Sequence, residues 1–148
     1  MSATKIVLIC LSLYGTYKLV KLLWSKDAIN NSRKLTPLPY KKWTKREIAT
    51  YDGKEAGTPV LIALDRKVYD VSAGRNFYGP GGPYNMFAGR DSSRLLATQS
   101  FDSGLTEEEL DSPIDELADL SDEERESLDA YIGLFSVKYR YVGELVES

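Results

Sequence analysis

Phe77-Tyr78-Gly79-Pro80-Gly81-Gly82-Pro83-Tyr84-Asn85-Met86-Phe87-Ala88-Gly89-Arg90-Asp91 is the stretch on which the reading of this chain turns. Two tyrosines six apart bracket a Gly/Pro loop, which runs into an apolar Met-Phe-Ala-Gly segment and a charged Arg-Asp pair. Pro80 and Pro83 lack amide hydrogens and the glycines favour turns, so this loop is expected to form neither helix nor ladder strand. Its expected role is to fix aromatic side chains at the mouth of a pocket. It is unlike a phosphate cradle, because no Lys-Ser/Thr follows and the prolines remove the needed amide donors.

The 148 residues contain no histidine and a single cysteine, Cys10. Ser-His-Asp and Cys-His catalysis, histidine or cysteine zinc sites, an intramolecular disulfide and bis-histidine haem are therefore excluded. Any metal or haem would need another ligand, and tyrosine is an accepted one for haem iron. No catalysis by this chain is expected.

Working outward, Val60–Leu64 and Lys67–Val71 around Asp65-Arg66 read as a β-hairpin. Ser92–Ser100, with Leu95, Leu96 and Ala97 apolar, reads as a short helix. Thr44-Lys45-Arg46-Glu47 is a capping box opening a helix through about Ala49. Thr106–Glu109 and Ser121–Glu124 are two more, the second opening a helix through about Tyr139. Leu128, Tyr131, Ile132, Phe135 and Tyr139 follow helical spacing within it and read as core packing. Val142–Val146 reads as a closing strand. Between Asp102 and Asp129 stand thirteen Asp/Glu and only Arg125. Leucines recur in that tract, so it is expected to be structured, with its carboxylates on a solvated face.

Charge divides the chain. Residues 1–50 carry ten Lys/Arg against Asp27 and Glu47, a net of +8, and residues 51–148 carry nine against twenty Asp/Glu, a net of −11. An acidic body argues against nucleic acid and for a basic protein partner, while the basic arm suits a membrane surface. Ile6–Trp24 is apolar for nineteen residues and would span about 28 Å as a helix, close to one hydrocarbon core. Lys18 and Lys21 within it can snorkel and Trp24 would sit at the interface. It reads as a membrane anchor after a short tail, residues 1–5; an amphipathic surface helix and a signal peptide are the alternatives, the latter opposed by the lack of a small-x-small site. The basic cluster behind the segment places the body in the cytosol. Residues 25–37 read as a basic linker and residues 38–148 as the folded domain.

The hairpin, the Gly/Pro loop, Phe87-Ala88-Gly89-Arg90-Asp91-Ser92-Ser93 and the Leu-containing helix together resemble the cytochrome b5-like haem/steroid-binding domain. More narrowly, Gly74-Arg75-x-Phe77-Tyr78-Gly79-Pro80-x-Gly82-Pro83-Tyr84-x-x-Phe87-Ala88-Gly89-Arg90-Asp91-x-Ser93-Arg94 resembles the membrane-associated progesterone receptor family, and within it the fungal damage-response members. The likeness runs from about Leu38 to Leu145 and includes Phe135-Ser136-Val137-Lys138-Tyr139. It implies an α+β fold, a small mixed sheet with short helices around a haem pocket, tethered by one N-terminal helix to the endoplasmic reticulum. It implies Tyr84 as axial ligand of the haem iron, Tyr78 as a second pocket tyrosine, Lys138 and Tyr139 at the rim, and Asp91 as a carboxylate associated with haem binding. From the residues alone, Tyr84 and Tyr139 are not separable as ligand.

The His-Pro-Gly-Gly loop and second histidine of cytochrome b5 itself are missing, so rapid six-coordinate electron transfer is not expected. A free tyrosine has a pKa near 10, but ferric iron stabilises the phenolate. The resemblance thus implies ferric, five-coordinate haem b in an accessory protein for cytochrome P450 enzymes of sterol synthesis. Steroid or lipid binding and haem-independent adaptor activity remain the alternatives, and an open haem face suggests a haem-dependent homodimer.

Overall fold

The computed structural model describes residues 14–18, 21, 35–101 and 104–148. The chain divides into two compact units, residues 1–34 and Leu35–Ser148. In the first, residues 14–18 and 21 are helical. The rest of the expected Ile6–Trp24 anchor, with residues 25–34 of the expected linker, lies outside the described residues. Among those described, no helix is long and apolar enough to cross a membrane.

The second unit comprises, in order, β1 (Lys41–Trp43), α1 (Lys45–Ala49), β2 (Leu61–Leu64), β3 (Lys67–Asp70), α2 (Arg75–Tyr78), β4 (Arg90–Asp91), α3 (Ser93–Ala97), α4 (Glu107–Asp111), α5 (Asp122–Lys138) and β5 (Arg140–Leu145). The sheet order is β1-β5-β3-β2-β4, with β1–β5 and β2–β4 parallel and the other pairs antiparallel. The hairpin turn is the expected one: Asp65 and Arg66 have φ of 47° and 64°, the two left-handed residues of a type I′ turn. Non-glycine residues are held there from outside, since the Asp65 amide donates to Ser93 Oγ at 2.8 Å and Arg125 donates to its carboxylate at 3.0 Å.

All four residues of β2 are buried because both faces of the sheet are covered. Ile62 and Leu64 point into a cluster with Tyr69, Val71, Phe87, Leu96, Phe135 and Tyr139. Leu61 and Ala63 point the other way, towards Trp43, Ile48, Val68, Ile114, Val142 and Leu145. The first cluster faces α5 and the Gly/Pro loop, so the sheet is the floor on which the site is built. The capping boxes at Thr44 and Ser121 both form, and Thr106 accepts from the Glu109 amide.

The Gly/Pro loop is irregular as expected: residues 79–84 lie outside helix and strand, after Phe77 and Tyr78 end α2 and before a 3-10 turn at Asn85–Phe87, and a further turn at residues 88–89 leads into β4. One expectation needs correction: the acidic tract is not a plain solvated face. Arg90, with only 4% of its side chain exposed, binds both carboxylate oxygens of Glu109, at 3.1 and 2.5 Å. Arg94 holds Asp115 (2.5 and 2.9 Å) and Asp119 (2.7 and 3.2 Å), and Arg46 holds Glu107 and Asp111. Lys45 donates to the carbonyls of Glu109 and Pro113. With Ile114 and Leu117 buried, these pairs staple the tract to the body.

The staple sets a pH dependence. Hydrogen bonding from Arg94 is the largest cause that lowers the pKa of Asp115 and of Asp119 below the usual carboxylate value. A depressed pKa stabilises the fold above the unfolded-state value near 3.8 and loses that effect as pH falls through the folded-state value. The melting temperature is therefore expected to fall as the pH drops below about 4. An Arg94→Gln chain should melt lower at neutral pH and show a shallower drop in that window. Equal acid slopes for both chains would contradict this account.

Candidate functional site

Arg75 begins the construction. Its guanidinium donates to the carbonyls of Thr58 (2.6 Å), Gly53 (2.7 Å) and Glu55 (3.1 Å), fixing α2 to the loop before β2. Gly79 then ends α2, its amide donating to Arg75 O at 2.7 Å. The chain folds straight back: Gly82 N–H donates to Gly79 O, and Tyr84 N–H to Phe77 O at 2.9 Å. This return requires Gly82, since a Cβ there would lie 2.3 Å from Phe77 O. Asn85 Nδ2 donates to Tyr78 O at 2.8 Å and locks the two arms together. The two loop tyrosines thereby become neighbours, with ring centroids 6.2 Å apart.

Phe87 is buried beneath them and stacks on Tyr84 at 6.1 Å and 20°. Opposite, α5 supplies Tyr131, Leu134 and Phe135, and its last turn delivers Tyr139. Tyr78 stands 6.0 Å from Phe135 and 6.1 Å from Tyr139. Tyr139 is buried, its hydroxyl so close over Gly74 that a Cβ there would lie 2.6 Å away. From α3 come Leu95 and Leu96, followed by Gln99 and Phe101. Tyr78, Tyr84, Phe87, Leu95, Leu96, Gln99, Phe101, Tyr131, Leu134 and Phe135 enclose a cavity of about 360 Å³. That lies at the small end of ligand pockets.

The tyrosines are not equivalent. Tyr84 is 41% exposed at the cavity mouth and Tyr139 only 8%. Burial, reinforced by Tyr139, Tyr84 and Tyr131, pushes the Tyr78 phenol far above its ordinary value. It stays neutral and able to donate at physiological pH. Lys138 Nζ lies 5.7 Å from the Phe77 ring centre and 5.6 Å from that of Tyr139. The structure therefore brings Tyr78, Tyr84, Lys138 and Tyr139 into one neighbourhood.

Asp91 is not among them. Its carboxylate accepts from the Ser93 amide at 3.1 Å and lines a separate cavity of about 190 Å³ with Lys45, Arg90, Arg94, Glu109 and Asp115. Burial is the main cause raising its pKa. Its reach towards the aromatic cavity is indirect, through the start of α3, which carries Leu95 and Leu96. Gln99, Phe101, Tyr131 and Leu134 are lining residues that the sequence reading did not single out as site residues. Tyr131 was legible only as part of a core stripe, and Gln99 and Phe101 carry no local signal. A larger opening of about 620 Å³ behind the Asn85–Phe87 turn has charged walls and no convergent aromatic set. Among the described residues, no group of His, Cys, Asp and Glu is placed to hold a bare metal ion.

A mixed sheet with short helices and an aromatic cavity between a loop and the closing helix is the architecture of a cytochrome b5-like domain. Residues 44–144 match the family described as "Cytochrome b5-like Heme/Steroid binding domain", and the chain belongs to it. Among its relatives is "Cytochrome P450 regulator dap1" of Schizosaccharomyces pombe, 39% identical over 107 residues, covering 72% of this chain and 64% of that protein. "Membrane-associated progesterone receptor component 2" of Rattus norvegicus is 37% identical over 151 residues, covering 96% of this chain and 67% of its own length. The chain thus spans about two thirds of the length of these curated relatives. The solution structure of a putative steroid-binding protein from Arabidopsis shares the fold, with 35% identity, a TM-score of 0.60, and coverage of 73% of this chain and 99% of that one.

Proposed function

We propose that this chain binds ferric haem b through the phenolate of Tyr84 and serves as a membrane-anchored accessory protein for cytochrome P450 enzymes of sterol biosynthesis. The observation that carries the reading is Tyr84: a half-exposed phenol at the mouth of an aromatic cavity, in a chain without histidine. The donor set fits haem, because flat aromatic and leucine walls suit a macrocycle and a phenol is an oxygen ligand that ferric iron accepts. When bound, haem supplies a Lewis-acidic ferric centre, which an anionic oxygen ligand keeps in the ferric state.

The remaining roles belong to the protein. Tyr78, held neutral by burial, orients the ligand phenolate by donating towards it. Tyr139 packs against Tyr78 and Gly74 and holds that ring in place. Lys138 offers positive charge at the rim. Were Tyr84 the one protein ligand, haem held at this exposed mouth would offer a surface to a second copy, so haem is expected to promote homodimers. The chain would act by binding rather than by catalysis. Ile6–Trp24 would anchor it in the endoplasmic reticulum with the domain in the cytosol, in keeping with relatives named as membrane-associated.

The test is an absorption titration of the full chain in detergent with ferric haem. A high-spin spectrum with a phenolate charge-transfer band is expected. A spectrum matching free haem would favour the steroid-binding or adaptor reading, which sterol binding to the same chain would then separate.

The P450 partner has its own prediction. Much of the acidic tract is stapled inward, leaving Glu108, Glu116, Asp122, Glu123 and Glu126 as exposed acids outside ion pairs. Association with a basic P450 face is expected to weaken several-fold between about 50 and 500 mM salt. It should also weaken in a chain with Glu123 and Glu126 changed to Gln. Salt-independent association would remove the electrostatic part of the reading.

A further inference from the structure

The end of α3 carries a residue choice that the fold alone does not require. Gln99 has φ +52°, the left-handed region that glycine adopts without strain. The Ser100 amide donates to Leu95 O at 2.9 Å, so Gln99 occupies the position after the helix cap where glycine is the usual residue. Neighbouring bonds hold it there: Thr98 Oγ1 bonds Arg94 O and Ser100 Oγ, each at 2.7 Å. The other non-glycine residues with positive φ among those described have plain structural duties. Asp65 and Arg66 make the hairpin turn, and Leu117 is buried as an anchor of the acidic tract. Gln99 is exposed, and its carboxamide makes no hydrogen bond among the described residues.

Gln99 is one of the residues lining the aromatic cavity. The other lining side chains are phenylalanine, leucine and the phenols of Tyr78, Tyr84 and Tyr131, so among the described residues Gln99 is the only lining side chain with N–H donors. Lys138 serves the Phe77–Tyr139 side, whereas Gln99 stands with Leu95 and Phe101. A neutral amide offers directional hydrogen bonds that the surrounding rings cannot.

We propose that Gln99 is a ligand-contacting residue whose carboxamide donates to a peripheral oxygen of the bound ligand, and that the strained backbone is retained for this contact. The proposal rests on the haem reading, in which the carboxylates of haem supply the oxygen. A purely structural role makes the opposite forecast, because glycine would then be an improvement in every respect.

The experiment compares the full chain in detergent with its Gln99→Gly and Gln99→Leu variants. The melting temperature is read without ligand and the Kd is read for ferric haem. Gln99→Gly is expected to raise the ligand-free melting temperature by about 3 °C by relieving the left-handed strain. It is also expected to weaken haem binding about tenfold, the loss of one hydrogen bond to a charged group. Gln99→Leu keeps side-chain bulk and strain but should lose affinity to the same extent. Wild-type affinity in both variants would overturn the proposal. Loss in Gln99→Gly alone would assign the effect to packing and overturn it equally. Failure of the unaltered chain to bind haem is a separate outcome, which overturns the haem reading and this inference with it.

Discussion

Replacing Tyr84 by Phe is expected to weaken ferric haem binding about a hundredfold and to abolish the phenolate charge-transfer band. The fold should be nearly untouched. The ring would keep its stack on Phe87 and its contact with Tyr78, while only an oxygen at a 41% exposed position is lost. Removing groups that merely orient a metal ligand costs 10- to 100-fold in affinity, so removal of the ligand itself belongs at or beyond the upper end. Ligand-free melting should shift by less than about 2 °C, as for an ordinary surface change.

Tyr139→Phe provides the contrast. Its hydroxyl is buried against Gly74 beside the Tyr78 phenol, so its loss should appear first in stability and only modestly in haem affinity. A charge-transfer band that survives Tyr84→Phe and disappears in Tyr139→Phe would transfer the ligand role to Tyr139. Burial argues against that outcome, because the iron would have to reach past Tyr78.

The parts of this fold that were legible in sequence are those with local causes. Asp65-Arg66 between two apolar runs announces a hairpin, and the capping boxes at Thr44 and Ser121 mark helix starts within one turn. What escaped depends on distant partners. Lys41-Lys42-Trp43 has one buried residue and no strand pattern of its own, yet it pairs in parallel with β5, a hundred residues on. Arg90-Asp91 is a strand only because β2 runs beside it.

The same division holds at the site. Tyr78 and Tyr84 are conspicuous because they bracket a Gly/Pro loop, whereas Lys138 and Tyr139 stand out as site residues only through family likeness. Asp91 was grouped with them by that likeness, and the fold directs its carboxylate to the start of α3 instead. The acidic tract was misread for an electrostatic reason. Arg46, Arg90 and Arg94 lie before it in sequence, and local composition shows charge without showing what neutralises it. Gln99 is the sharpest case, since a left-handed glutamine at a helix end becomes visible only with the backbone in hand.

The second large effect is expected at Gly143, on the face of the sheet away from the site. This residue has φ +146° and pairs with both Lys41 of β1 and Val68 of β3, beside a register shift in the β3–β5 ladder. A Cβ there would lie 1.7 Å from Lys41 O and 2.8 Å from Trp43 Nε1. The first atom is backbone, so no side-chain rotation can relieve the clash, and β1 would have to move away from β5. Trp43 is 2% exposed and donates to Val142 O at 3.0 Å, so that movement would also expose a large ring and break a buried bond. Gly143→Ala should therefore destabilise the domain by about 3 kcal/mol or more, combining backbone strain with overpacking. The corresponding fall in melting temperature is about 10 °C. The aromatic cavity is lined from the opposite face, by residues that do not touch β1. Below the melting transition, haem titrated into Gly143→Ala should give the wild-type spectrum, with affinity reduced only by the unfolded fraction. An altered spectrum at a temperature where the variant is fully folded would show that β1 and the cavity are coupled through the sheet. Wild-type melting would show that β1 can leave its place beside β5 without consequence, against the burial of Trp43.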